Sequence, residues 1–489
     1  MPIADHGGFD VVAEIPEATA LAIASGLSFG SPTAPFANAQ ATGTATVVAG
    51  VSSVSFAQPD RLIFDIDIAG TRIDVLQVTA FGPPTNVAPW MQLIQPRGSI
   101  RVNAPLGMTP GHALVTNLSA AGSDPMVTVS VAEDSILASP LVTSLLARAI
   151  LPDPTNDTLY QQAKAMVLAG FRETIETQVR QSLGRLGLVV LVPAPTLPSS
   201  VSGALNVIAG SGFRMLPRAI KVGYATRTGS GGSPPAITIS NLLRSTATGI
   251  PVDALAICLS NAFVLRDIVR DGLTIPQPTG LGIPLSAFQA NHPLMLMRPL
   301  VTTVPGGPIP GIASLTINSI FGGIDGTNLR LIMRITANGV AGAFTISATV
   351  DAAFTVTASP GTPPSLVVAL SGTPSVTTDL AIAWWVYVGA ALVPGGAALG
   401  YILLGADLFA GSIANGPIAT AIAGAAGGLG GTFPAPSGPG LPPLTVRPPV
   451  SLGQPNAIRR IVTVALPGVP APVPIVDPFL DNDVLINLV

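Results

Sequence analysis

A serine flanked by glycines, Gly26–Leu27–Ser28–Phe29–Gly30, matches the G-x-S-x-G pattern of a hydrolase nucleophile elbow. Such an elbow presents its serine on the sharp turn from a strand into a helix. Here the order is reversed: helix-forming residues precede Ser28 and a proline-containing loop follows. The simpler reading is a helix C-terminal turn, which favours glycine for its own reasons. A phosphate-cradling Walker A loop needs a lysine in a glycine-rich turn. The only lysines are Lys164, after Ala163, and Lys221, after Ile220, so that loop is absent. Zinc sites need clustered Cys and His, but His6, His112, His292 and Cys258 are scattered. Asp481–Asn482–Asp483 could take calcium, yet no EF-hand loop surrounds it. Asp65 and Asp67 share a strand face and read as solvated, without the apolar surroundings that make a carboxyl a general acid. We therefore expect no catalytic residue, no metal, no cofactor and no enzymatic activity.

Composition narrows the remaining classes. The chain has 489 residues, of which 10% are charged and 48% hydrophobic. That length suits two or three domains and buries a large core without a disulfide or metal. Gly (52) and Pro (49) are abundant, about a fifth of the chain, but the hydrophobic content argues against disorder. Many short strands joined by turns would give this balance. Net charge is −3 with no basic run, which excludes a nucleic-acid footprint. Cys258 has no cysteine to pair with, so the redox compartment stays open. Residues 1–10 lack a basic segment followed by an apolar one. We expect no secretory signal of the usual kind, which leaves a cytoplasmic chain or one exported by another route.

The elements follow from periodicity. Phe9, Val11 and Ala13 alternate with Asp10, Val12 and Glu14; Pro16 and Glu17 then suit a first helical turn, and Gly26 a stop. Leu62, Phe64, Ile66 and Ile68 alternate with Ile63, Asp65 and Asp67, and Ala69–Gly70 predicts a hairpin to Ile73 and Val75. Further strands are expected at 99–102, 113–118 and 126–131. From 136 to 187 the period becomes helical. Leu159, Ala163, Met166, Gly170, Ile175, Val179, Leu183 and Leu186 recur on one face, with Thr158 as N-cap and Gly187 as stop. Val189–Val192 then reads as a buried strand. The stretch Thr226–Pro235 (TRTGSGGSPP) marks a boundary. Beyond it, Val252–Leu259 is strand-like and Ser260 caps a helix Asn261–Arg270 that ends near Gly272. Leu329, Leu331, Met333 and Ile335 share a face, and Asn338–Gly339 turns the strand into Phe344, Ile346, Ala348 and Val350. Residues 380–406 carry no charge, Asp379 preceding and Asp407 following them, and Pro394–Gly395–Gly396 breaks the run. Neither half reaches the roughly 20 residues of a spanning helix, so a buried element is expected there. Trp384–Trp385 would point to opposite faces of a strand; either both are structural, or one packs inward and the other meets a partner or interface.

Two openings carry a family resemblance: GFDVVAEIPEATALAI at 8–23 and ALAICLSNAFVLRDIV at 254–269. Each runs strand, breaking or capping residue, helix, and each is followed by hairpins; the first unit then has the long amphipathic helix. This order resembles the TULIP (tubular lipid-binding) superfamily, which includes BPI-like lipid-transfer proteins and bacterial P47/OrfX-like proteins. The resemblance implies an α+β fold of two tandem TULIP-like units, each a highly curved antiparallel sheet wrapped around a long helix and leaving an apolar tunnel. The units would span 1–195 and 246–489, joined by the Pro/Gly/Ser-rich connection 196–245, with an apolar Gly/Ala-rich insertion around 384–432. Mammalian members carry an export signal and a disulfide, and this sequence has neither. A bacterial P47-like relative fits better.

The expected function is non-catalytic binding or transfer of a lipid or other apolar small molecule, sheltered in an apolar groove at about 0.8 kcal/mol per buried methylene. Lining residues would be Leu21, Ile23, Met166, Ile175, Val179, Phe263 and Ile268. A protein partner and peripheral membrane contact are further expectations. The alternative is a structural or interaction subunit, such as a toxin-complex accessory protein, whose cores are filled by side chains.

Overall fold

The computed structural model describes residues 9–27, 29–121, 126–150, 155–194, 208–216, 218–226, 255–260, 263, 265, 269–274, 276, 281–289, 294–302, 312–325, 328–359, 365–383 and five short strands beyond. In chain order these are β1 (Val11–Pro16), α1 (Glu17–Ser25), β2 (Ser31–Ala37), β3 (Ala41–Val47), β4 (Gly50–Ala57), β5 (Arg61–Asp67), β6 (Arg72–Val78), β7 (Thr85–Asn86), β8 (Leu93–Ile94), β9 (Gly98–Met108), β10 (Leu114–Asn117) and α2 (Leu118–Ala121). Next come β11 (Val127–Val131), α3 (Glu133–Leu137), α4 (Pro140–Ile150), α5 (Asp157–Leu186), β12 (Leu188–Val192), β13 (Ile208–Leu216), β14 (Ala219–Thr226), β15 (Leu255–Leu259) and α6 (Arg270–Thr274). The rest is strand: β16 (Leu300–Thr302), β17 (Ile312–Asp325), β18 (Asn328–Gly339), β19 (Phe344–Ser359), β20 (Ser365–Leu370), β21 (Ser375–Ile382), β22 (Gly431–Thr432), β23 (Val450–Leu452), β24 (Ile461–Val464), β25 (Val473–Val476) and β26 (Asp483–Leu488).

The fold is rich in antiparallel sheet. One sheet runs β12-β10-β9-β5-β4, with β11 also on β9; a second runs β2-β3-β6-β7, with β8 also on β6. The later strands form a sheet ordered β16-β17-β18-β19-β20-β22, with β21 also on β19. Between these stretches of chain lies a sheet that draws on both: β13-β14-β1-β15-β26-β23. Its register sets Ile15 beside Ile220 and Val12 beside Cys258. Every residue of β1 is buried, Glu14 included. A carboxylate taken wholly out of water needs a partner, and Lys221 of β14 supplies it at 3.6 Å, both side chains being 0% exposed.

The long helix organises the first half. Its inward stripe is Ala163, Val167, Phe171, Ile175, Val179 and Leu183, all buried at a four-residue spacing. It packs on β2 and β3 from one sheet and β11 from the other, and on α2 and α4. Asn38 fastens it by donating from Nδ2 to the Gly170 carbonyl and to Thr174 Oγ1, both at 2.9 Å. The approach is close at Gly170, where an added Cβ would lie 2.4 Å from Gln40 Oε1. Ser182 donates to the Gly30 carbonyl at 2.9 Å. Buried apolar groups from both halves, among them Phe64, Val102 and Ile175 with Leu331, Met333 and Ile346, belong to one contiguous core.

Several expectations are corrected. The N-cap of α5 is Asn156, whose Oδ1 accepts from the Leu159 amide at 3.1 Å; Thr158 lies inside the first turn. Gly187 does end the helix, with φ 61°. Pro16 is the N-cap of α1, not its first residue, and Gly26 closes that helix. The segments 62–68 and 73–75 are no hairpin: β5 pairs with β4 and β9, β6 with β3, and the turn between them passes from one sheet to another. A turn signal cannot report which sheet receives the next strand. β12 is an edge strand rather than a buried one, and Leu188 is 60% exposed. The β18–β19 hairpin forms, with Asn338 opposite Thr345, but its turn is Val340–Gly342, where Ala341 and Gly342 take φ 55° and 69°. Ser260 Oγ accepts from the Phe263 amide at 3.1 Å as a cap should. Gly272 lies within α6 and does not end it. Among the described residues the one long helix is α5, in the first half, and a second long helix is not shown. No described helix is long and apolar enough to cross a membrane. Trp384, Trp385 and the insertion to 430 lie outside the described residues.

Candidate functional site

A cleft of about 190 Å³ opens between α4 and the end of β6. The α4 sequence builds one wall. Leu141, Val142, Leu145 and Leu146 recur at helical spacing and are buried, while Thr143, Ala147 and Arg148 face water. Leu141 and Leu145 line the cleft from this side, with Ser144 and Arg148 one turn apart at its rim. The opposite wall is the 79–92 loop. Its amides are tied back by Thr79 N–H to the Gln40 carbonyl and Val87 N–H to the Leu76 carbonyl, both at 2.9 Å. Gln92 Nε2 donates to the Val87 carbonyl at 3.0 Å. These bonds set Val78, Val87, Ala88 and Met91 as an apolar floor and place Thr85 and Asn86 at the polar edge.

No carboxylate, histidine or cysteine lines this cleft. Arg148 is its one charge, and among the described residues no ion pair or hydrogen bond engages it. A base and a paired nucleophile are therefore lacking on the walls. What the arrangement can do is enclose apolar surface and hold a polar or anionic group at one end.

The residues expected from sequence fall elsewhere. Ile23, Ile175, Val179 and Phe263 are buried in the core and Leu21 packs half-buried against it. Met166 is 49% exposed, one position off the stripe that Val167 occupies. Ile268 lies outside the described residues, and none of the others lines the cleft. Arg148, Leu145 and Met91 were missed. The signal was present in LVTSLLARAI at 141–150, an amphipathic run ending in a lone cation, which is a helix separate from α5.

Other groups with chemical potential are engaged structurally. Ser28, His6 and His292 lie outside the described residues; His112 Nδ1 is 2.9 Å from Ser211 Oγ, and Cys258 is buried. No group of three potential metal ligands occurs among the described residues. Asp65 is paired rather than simply solvated: Arg101, opposite it in the β5–β9 register, reaches it at 2.8 Å. That hydrogen bond, with a smaller one from Ser53, holds its carboxyl below the usual value despite partial burial. Burial pushes the Tyr224 phenol up.

No protein-family model matches the sequence, and no curated protein does. Among solved structures the chain is similar to P47 from Clostridium botulinum A2, at 10% identity over 91% of this chain and 96% of that one, with a TM-score of 0.38. It is similar to P47 of Clostridium botulinum E1 at 8% identity, over 87% and 90% of the two chains, with a TM-score of 0.41. A lipopolysaccharide binding protein is similar at 12% identity over 98% of both chains, with a TM-score of 0.32.

Proposed function

We propose that this protein binds an apolar or lipid-like small molecule without transforming it. The observation that supports the reading is the cleft beside α4: an apolar floor, a polar rim and no base or nucleophile pair on its walls. Shielding methylenes from water supplies the affinity at about 0.8 kcal/mol each, and the rim orients the guest. On this reading the stretches 1–195 and 246–489 act as two units about the shared central sheet. Solvent extraction of the purified chain followed by mass spectrometry tests the proposal. We expect a co-purified apolar molecule, and binding of the small uncharged dye azulene that Ser144→Trp abolishes by filling the cleft. An empty extract together with no dye binding would overturn it.

A second reading, a structural or interaction subunit with filled cores, has its own support. The inward stripe of α5 is packed: Phe171, Ile175, Val179 and Leu183 are all buried within the core. An extract without ligand and a chain that takes no dye favour it.

A further inference from the structure

We infer that the cleft beside α4 is specific for a single-chain amphiphile with an anionic head, carboxylate or phosphate, held by Arg148. The inference rests on the binding function proposed above and names its ligand class. Charge comes first. A guanidinium offers a planar fork of donors that matches a carboxylate or phosphate, and no acid on the walls competes for Arg148. Ser144, Thr85 and Asn86 stand at the same rim and offer neutral polar groups to a head. The position of Arg148 in the last turn of α4 also suits the helix dipole. A lysine there would serve the dipole and the anion alike, whereas a glutamine would serve neither.

Size comes second. The cleft volume, about 190 Å³, is somewhat more than the roughly 150 Å³ that encloses a benzene ring. It therefore takes a short acyl segment of about six to eight carbons and not two full chains. The floor of Val78, Val87, Met91, Leu141 and Leu145 meets that segment. Beside Met91, Trp90 stands 75% exposed in the same turn, where the tail of a longer chain would emerge.

The test is calorimetric titration of the full chain with octanoate, octyl phosphate and octan-1-ol, which share a tail and differ in the head. We expect at least one anion to bind tenfold or more tightly than the alcohol, and the better anion to tell carboxylate from phosphate. Arg148→Gln should abolish that preference, while Arg148→Lys keeps most of it. Ser144→Trp should remove binding of all three. Arg148 is exposed, so its variants should fold, which thermal melts check. The comparison of heads on the unaltered chain needs no variant in any case. Equal binding of alcohol and anions, or a preference that survives Arg148→Gln, overturns the anionic class and leaves apolar binding standing. Failure of all three ligands to bind overturns the cleft as the site, while solvent extraction separately decides whether the chain carries an apolar guest.

Discussion

Asp65 and Arg101 face each other across β5 and β9 with both side chains reaching water, Arg101 more so. Exposed pairs of this kind contribute little at neutral pH, but their acid dependence has a definite sign. The Asp65 carboxyl is held low, chiefly by its hydrogen bond from Arg101. Its contribution is thus fully present above the unfolded value, about 3.9, and is lost as pH falls through the folded one. We expect Asp65→Asn to flatten the acid limb of stability. In urea titrations the difference between wild type and variant should stay constant above about pH 5 and shrink from about pH 4 downward. Parallel curves down to pH 2 would show that the pair does not couple to folding. The residue scale is also where sequence reading reached least far. Alternation placed Asp65 on an outward face, but nothing in the chain told that Arg101 would lie opposite, because register between distant strands is set by the assembled sheet.

At the scale of elements, the α5 terminus offers a clean comparison. Asn156 caps the helix through its side-chain oxygen, and Thr158 is an exposed residue of the first turn. Asn156→Ala should lower stability by about 1 kcal/mol, seen as a lower urea midpoint at unchanged slope. Thr158→Ala should stay within about 0.5 kcal/mol. A reversed order would return the cap to Thr158. This helix was the most legible element of the chain, since thirty residues of helical periodicity outweigh local ambiguity. Even so, the stripe was read one position off at Met166, because Thr174, Gln178 and Ser182 are buried polar residues that blur the apolar face. The Ser182 and Thr174 hydroxyls donate to the Gly30 and Gly170 carbonyls. Those partners lie far away in sequence or within the helix backbone, where a hydropathy pattern does not register them. The cleft was less legible still. Its two walls, Val78–Met91 and Leu141–Arg148, lie about fifty residues apart in sequence, and no local period links them.

The molecule as a whole is tied together by β1, which pairs with β14 on one side and β15 on the other. A contiguous core reaches from Phe64 to Ile346. We therefore expect calorimetry to show one cooperative unfolding transition with matching calorimetric and van't Hoff enthalpies. Two resolved transitions would show that the halves melt apart. The same sheet has a consequence in time. β1 emerges from the ribosome before its partner β15, which follows only after about 240 further residues, and β26, which closes the outer side of β15, comes about 225 residues after β15. At synthesis rates of 5–20 residues per second that last interval is roughly 11 to 45 seconds. Throughout it the outer edge of β15 offers unpaired amides and carbonyls to any strand nearby. The yield of native protein is thus a race between elongation and mispairing between nascent chains, run on the clock of translation.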